Sequence, residues 1–553
     1  MFTHARLLAL LATVILALTA GSAAADPVTR VISPNGSGIE CSMVTPCSYL
    51  YGMTAGSAAG DVVLALPGTY VVTGAPPELK HPLTVMGDPD KPRPVFVNLD
   101  QAISWGMIVD AGASGTVLKH LDIEGFHGLF LGGQTTASDL AVKAKSRCIT
   151  IQAKSTVAES ALTVAQPSAP LCVEDQVAST LRHLTITAPG GTGVALRGGG
   201  ATFEDSTVTA DAPLQLTDGN KNANVRRVSL NGTLQAIWAS QGGWGVVTDS
   251  LIRTSGTSSA VQSRTDGRVT LRNDTVLAAG SGAAGLKAEA AFSSAHAGSI
   301  DARNTIVHAN GPDLVAAVAP DPSTCIPAPC KPGELTIDHS LFNSSTGPIV
   351  NNGSNVSGDP LFSDAAIGDF HLHPGSPAID AGAADVLTGA TDLDEKARIL
   401  GPALDLGAFE APAVPTPPAG EPAPADQTPP VGAPRAADLT PPVLSSVRLS
   451  NRVFAVGRGA TALSAVKRGT TLRYRVSEAA RVTIELARRA TKTRFRHVAT
   501  LTRRAHAGIN STRLSGRIKT RALKPGVYRA TLTARDVAGN KSRAARVKFT
   551  VVA

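Results

Sequence analysis

FEDSTV (203–208), VRRVSL (225–230), VTDSLI (247–252) and LRNDTV (271–276) carry one pattern: apolar, two arbitrary residues, a variable site, one more residue, apolar again. VAESAL (157–162), LRHLTI (181–186) and IDHSLF (337–342) repeat it, with weaker copies at LKHLDI (118–123), around Leu140 and at ARNTIV (302–307). The variable sites from Ser160 through Leu184, Ser206, Val228 and Ser250 to Asp274 are spaced 24, 22, 22, 22 and 24 residues apart. A fixed period of this length marks a stacked-repeat architecture. Each copy is short, rich in β-branched residues and bounded by Gly, Asn or Asp, which describes a strand. Coils of this size hold three short strands and stack ~4.8 Å apart. The prediction is a parallel β-helix, in which polar residues at the variable site hydrogen-bond along the stack while Leu or Val packs.

Working outward, CSMVTPCSYLYGMTAGSAAGDVVLALPGTYVV (41–72) reads as a short helix over about 48–59 followed by a strand. A helix there would cover the open front of the stack. Upstream, LLALLATVILALTA (7–20) follows His4 and Arg6 and precedes GSAAA, the layout of a secretory signal peptide over residues 1–25. No later run reaches the ~20 apolar residues of a membrane helix. A secreted or surface-held monomer without a transmembrane segment is expected. Export permits disulfides among Cys41, Cys47, Cys148, Cys172, Cys325 and Cys330. Sequence neighbours can pair, but spacing does not choose the connectivity.

The net charge of +8 conceals a division. Residues 438–553 hold 26 Lys and Arg against four acids, a balance of +22, whereas 26–437 hold 24 against 39, or −15. Between them, 411–442 contains eleven prolines and reads as an extended linker. The chain is thus divided into a solenoid at 26–410, a Pro-rich linker at 411–442 and a basic β-sandwich at 443–553. Basic charge with few aromatics, on an exported chain, argues against nucleic acid and for an anionic cell-wall polymer as partner.

The entry PCSYL…AGDVVLALPGTYVV and the stacked coils resemble the secreted right-handed parallel β-helix proteins of the pectate-lyase-like superfamily. The ending GDPLF (358–362), GDFHLHPGSPAIDAG (368–382) and ALDLGAFE (403–410) resembles the bacterial choice-of-anchor Q type, and 443–553 resembles bacterial Ig-like modules. The resemblance implies an all-β chain and an interaction with polysaccharide. It also implies an alternative, a lyase or glycoside hydrolase acting on uronate polysaccharide. The hydrolase motifs Asn-Thr-Asp, Gly-Asp-Asp and Gly-His-Gly are missing, with FHG (126–128) the nearest to the last. Catalysis would need carboxylates from neighbouring coils aimed at one bond. The candidates are Asp249 and Asp274 with Arg227 and Arg272. The function favoured is non-enzymatic binding along the solenoid face. The acid-rich ending is expected to cap the solenoid, with Asp380, Asp392 and Asp405 bonding turn N–H groups. No cofactor is expected beyond a Ca²⁺ ion, for which Asp392 and Asp394 are the candidates.

Overall fold

The computed structural model describes residues 27–99, 104–165, 170–290, 297–318, 332–412, 441–449, 453–455, 470–477, 480–491, 494–505, 508–515, 517–518, 521–536 and 539–552. The expected signal peptide at residues 1–25, most of the expected linker, Cys325 and Cys330 lie outside them. Two compact units divide the chain, Met1–Pro418 and Ala419–Ala553.

The first unit is a parallel β-helix. Each coil supplies three strands, here called the first, second and third faces in chain order. On the first face, one inward column runs Val63, Val85, Leu118, Ala137, Val157, Leu181, Phe203, Val225, Val247, Leu271, Ala302 and Ile337 in unbroken parallel register. All of these side chains are fully buried. The second face stacks Leu162, Ile186, Val208, Leu230, Ile252, Val276 and Val307 inward. On the third, Ile149, Val173, Val194, Leu214, Ile237, Val261, Leu286 and Leu314 do the same. Burial of these columns supplies the dominant stabilisation, since each coil covers its neighbours' apolar surface.

The first and second faces meet at a one-residue bend. His120, Asp139, Glu159, His183, Asp205, Arg227, Asp249, Asn273, Asn304 and His339 occupy it, all left-handed with φ from 41° to 59°. Asn, Asp and His tolerate this region best among residues with a side chain. The variable site follows immediately. There Ser206 Oγ accepts from Leu184 N (2.9 Å), Ser250 Oγ from Val228 N (3.2 Å), and Asp274 Oδ1 from Ser250 N (2.8 Å). The rungs therefore join side chain to backbone, satisfying amides that the bend strips of ladder partners.

The front differs from expectation. The helix is short, Tyr49–Met53, with Ser48 as N-cap. A strand before it, Thr29–Ile32, pairs with Val62–Ala65, so the stack begins upstream of the helix. Cys41–Cys47 and Cys148–Cys172 are disulfides.

The ending departs further. Instead of lying across the end of the stack, residues 376–411 run back along the flank as a strap over the bends at Asp249, Asn273 and Asn304. Ala383 N donates to Asn304 Oδ1 (2.9 Å), Gly407 N to Asn304 O (2.8 Å), and Ala408 N to Thr275 Oγ1 (3.0 Å). The physical reason is visible in the outward column of the second face. It is polar at Thr207 and Ser229 but becomes Leu251, Thr275, Ile306 and Leu341 in later coils. Leu251 and Leu277 are covered by Phe370, Ala408 and Phe409; Ile306 and Leu341 by Leu372, Ala378 and Leu406. A cap would have left that apolar stripe in water.

The second unit contains a three-stranded antiparallel sheet, Leu444–Leu449, Thr470–Val476 and Gly508–Leu514. A five-stranded sheet runs in the order Val453–Ala455, Ala545–Val552, Gly526–Arg535, Ala480–Arg489 and Phe495–Ala505. Buried Phe454, Tyr474, Ile484, Tyr528 and Phe549 form its core. These sheets are consistent with an Ig-like part. Among the described residues no helix is long and apolar enough to cross a membrane.

Candidate functional site

Asp249 and Arg227 line one groove of about 490 Å³, between the bends and strap residues 386–391. Only 2% of Asp249 is exposed. Burial pushes its pKa up to about 6, against the opposing pull of Arg398 and Asn273. Arg227 is clamped by Asp205, with Nε at 2.7 Å and Nη2 at 2.9 Å. Asp274 is fully buried and accepts from Ser250 N and Arg272 N. Arg272 is held by Asp385 and Asp301, each at 2.7 Å. The four candidates therefore do not converge on one open site: two face a groove and two are built into the wall.

The acids of the ending bond backbone. Asp392 Oδ1 accepts from Asp394 N and Lys396 N, and its Oδ2 from Glu410 N. Asp405 accepts from Asp380 N and Ala411 N, and Asp380 from Ala403 N. Asp394 pairs with His371 and Lys396, both at 2.9 Å, which holds its carboxyl well below the usual range. The lone pairs a calcium ion would need at Asp392 and Asp394 are directed at N–H groups and cations. Among the described residues no cluster of three or more His, Cys, Asp or Glu side chains is placed to hold a metal ion.

His371 is the lock between the Asp369–Leu372 strand and the strap. It bonds Asp369 (2.6 Å) and Asp394 (2.9 Å) and lies 4.3 Å from the Phe409 ring centre. Burial pulls its pKa down, but the two carboxylates outweigh burial and raise it from 6.5 to about 9. A raised folded pKa means stability that is complete below 6.5 and lost as pH climbs through 9. Hydrogen exchange of 369–411 is therefore expected to accelerate between pH 7 and 9.5 beyond the intrinsic chemical rate. His371→Gln removes this dependence; an unchanged profile in that variant would refute the assignment.

The third face offers the open surface. Its outward column runs Gln215, Trp238, Gln262 and Lys287, one residue per coil. Trp238 stands beside Arg264, whose guanidinium carbon is 5.9 Å from the ring centre. Together with Arg197, Gln215 and Thr217 they line a hollow of about 310 Å³. Flanking it, Arg197 Nε lies 2.9 Å from Glu174, which also pairs with Arg147. Glu289 accepts from Gln262 (2.7 Å) and pairs with Lys287 (2.6 Å). The arrangement is one aromatic plate, Trp238, flanked by planar donors and balanced charge pairs on neighbouring coils. Sequence reasoning passed over these residues. The six-residue pattern does not reveal them: Gln215, Trp238 and Gln262 lie 9, 10 and 12 residues after their variable sites, so the column exists only in the stacked register.

No family model matches the chain, and no curated protein matches it. Among solved structures, it is similar to pectate lyase Pel9A, with 15% identity and a TM-score of 0.39 over 69% of this chain and 96% of that one. An alginate lyase from Paenibacillus sp. str. FPU-7 is 11% identical, with a TM-score of 0.33 over 44% and 93%. A rhamnogalacturonan lyase is 13% identical, with a TM-score of 0.31 over 59% and 87%.

Proposed function

We propose that this is an exported, non-enzymatic polysaccharide-binding protein that holds its polymer along the third face. The carrying observation is Trp238, half-buried beside Arg264 and between Gln215 and Gln262 on the parallel sheet. A sugar ring presents an apolar face that stacks on an indole, while its hydroxyls meet Gln and Arg donors. Equivalent positions recur every ~4.8 Å, so a repeating polymer meets a repeating surface. Trp238→Ala is expected to weaken binding about tenfold, or ~1.4 kcal/mol. Affinity electrophoresis in gels containing polygalacturonate, alginate or a neutral glucan measures it. Equal retardation of both proteins in every gel would remove the proposal.

The basic second unit, +22 over residues 438–553, fits attraction to an anionic wall polymer, which would retain the exported chain at the cell surface. Pull-down on isolated walls is expected to fall steeply between 0.05 and about 0.5 M salt, because exposed charges are screened. Salt-independent retention would rule out the electrostatic account.

A second reading, a lyase or glycoside hydrolase acting on uronate polysaccharide, rests on Asp249, with its pKa raised to about 6 at the floor of a groove that Arg227 also lines. New reducing ends or 4,5-unsaturated products from the purified chain, abolished by Asp249→Asn, would favour it over binding alone.

A further inference from the structure

A larger cleft lies elsewhere on the first unit, where the 359–373 segment leans against the second face. It encloses about 780 Å³. Its polar feature is Arg253, on the Leu251–Thr254 strand. The guanidinium packs over the Phe370 ring at 5.3 Å. Its Nε and Nη2 both donate to Asn231 Oδ1, the former at 2.9 Å. No carboxylate among the described residues lies within ion-pair distance of it, whereas Arg227, Arg272, Arg303 and Arg398 along the same flank each hold at least one. Burial lowers the Arg253 pKa, and no neighbouring acid offsets it. A half-buried cation without a counterion is costly, and here it faces a cavity.

We propose that this cleft binds a cyclic carboxylate, a sugar acid or an aromatic acid. Asn231 occupies one edge of the guanidinium and leaves Nη1 without a described partner, the direction from which a carboxylate is received. One arginine suits a single negative charge better than a phosphate dianion, and Asp359 at the rim opposes a second charge. Leu277 and Phe362 supply apolar walls for a ring, and His308 and His373 supply polar contacts for its substituents. The cleft is on a different face from Trp238, so it stands apart from the polysaccharide reading above.

Calorimetric titration of the full chain tests it, using galacturonate and benzoate as the two acids, galactose and benzyl alcohol as uncharged counterparts, and inorganic phosphate as the competing anion. At least one acid is expected to saturate while its uncharged counterpart does not. Arg253→Met is expected to weaken that acid at least tenfold, and Trp238→Ala to leave it unchanged. Ala279→Trp, at an exposed lining position, fills the cleft without touching the cation and should abolish binding in a protein of unaltered melting temperature. Saturation by neither acid overturns the proposal, as does phosphate binding as tightly as the acids, or full affinity in both cleft variants. Loss of acid binding in Trp238→Ala would place the site on the third face instead.

Discussion

Replacing Arg398 by Met is expected to cost about 3–5 kcal/mol and to release the strap from the flank. Arg398 is 2% exposed, the largest of the fully buried side chains. Its Nη1 lies 3.5 Å from Asp249 and its Nη2 3.5 Å from Glu410. Nη2 also donates to the carbonyls of Asp405 and Gly407, both at 2.8 Å. One cation therefore joins a solenoid bend to both arms of the strap. Without it two carboxylates remain in a low-dielectric site. Burial already raises Asp249 to about 6, and burial with Asp405 beside it raises Glu410 to about 7. Both shifts carry stability that is complete below the ordinary carboxyl range and lost as pH rises through the folded values. The Arg398→Met deficit should thus be larger at pH 8 than at pH 5. Urea unfolding at the two pH values measures it, and hydrogen exchange over 376–411 shows where it acts. Combining the change with Asp249→Asn and Glu410→Gln should restore much of the loss, since the unpaired charges go with it. A cost under 1 kcal/mol at pH 8 would mean that the arginine does not hold the strap.

Phe203→Ala is expected to cost a similar 3–5 kcal/mol by a different route. Phe203 is fully buried, with Leu181 below it and Val225 above it in register. Truncation leaves a void that neighbouring coils cannot fill, because their own spacing is set by the hydrogen-bond ladder on both sides. Because each coil contacts chiefly its neighbours, the damage should be local. Exchange protection should fall most at 181–186, 203–208 and 225–230, and much less at 62–87. Uniform loss of protection along the whole stack would show that the solenoid unfolds as one block.

The repeat was legible because its determinants are local. Strand and inward residue lie within six positions and recur, so the column from Leu118 to Ile337 follows from aligning copies, whereas Val63 and Val85 join it only in the structure. The left-handed bend was not read from the sequence, although Asp, Asn or His precedes the variable site in most copies. Turn chemistry accounts for Asp392, which accepts from Asp394 N and Lys396 N, but not for Asp380 and Asp405, whose donors Ala403 N and Asp380 N are 23 and 25 residues away.

The third-face hollow was not legible in the same way. Arg197, Trp238 and Arg264 belong to three different coils, and only the stacking register brings them to one hollow. The acid-rich ending looked like a cap because it follows the last repeat, yet Arg398 meets Asp249 across 149 positions of sequence. The sequence by itself determined the β-helix, through short-range periodicity in which every coil buries the next. Tertiary structure alone decided where the ending lies. That path depended on the sum of an apolar stripe at Leu251, Leu277, Ile306 and Leu341 and one buried cation, terms that no local pattern contains.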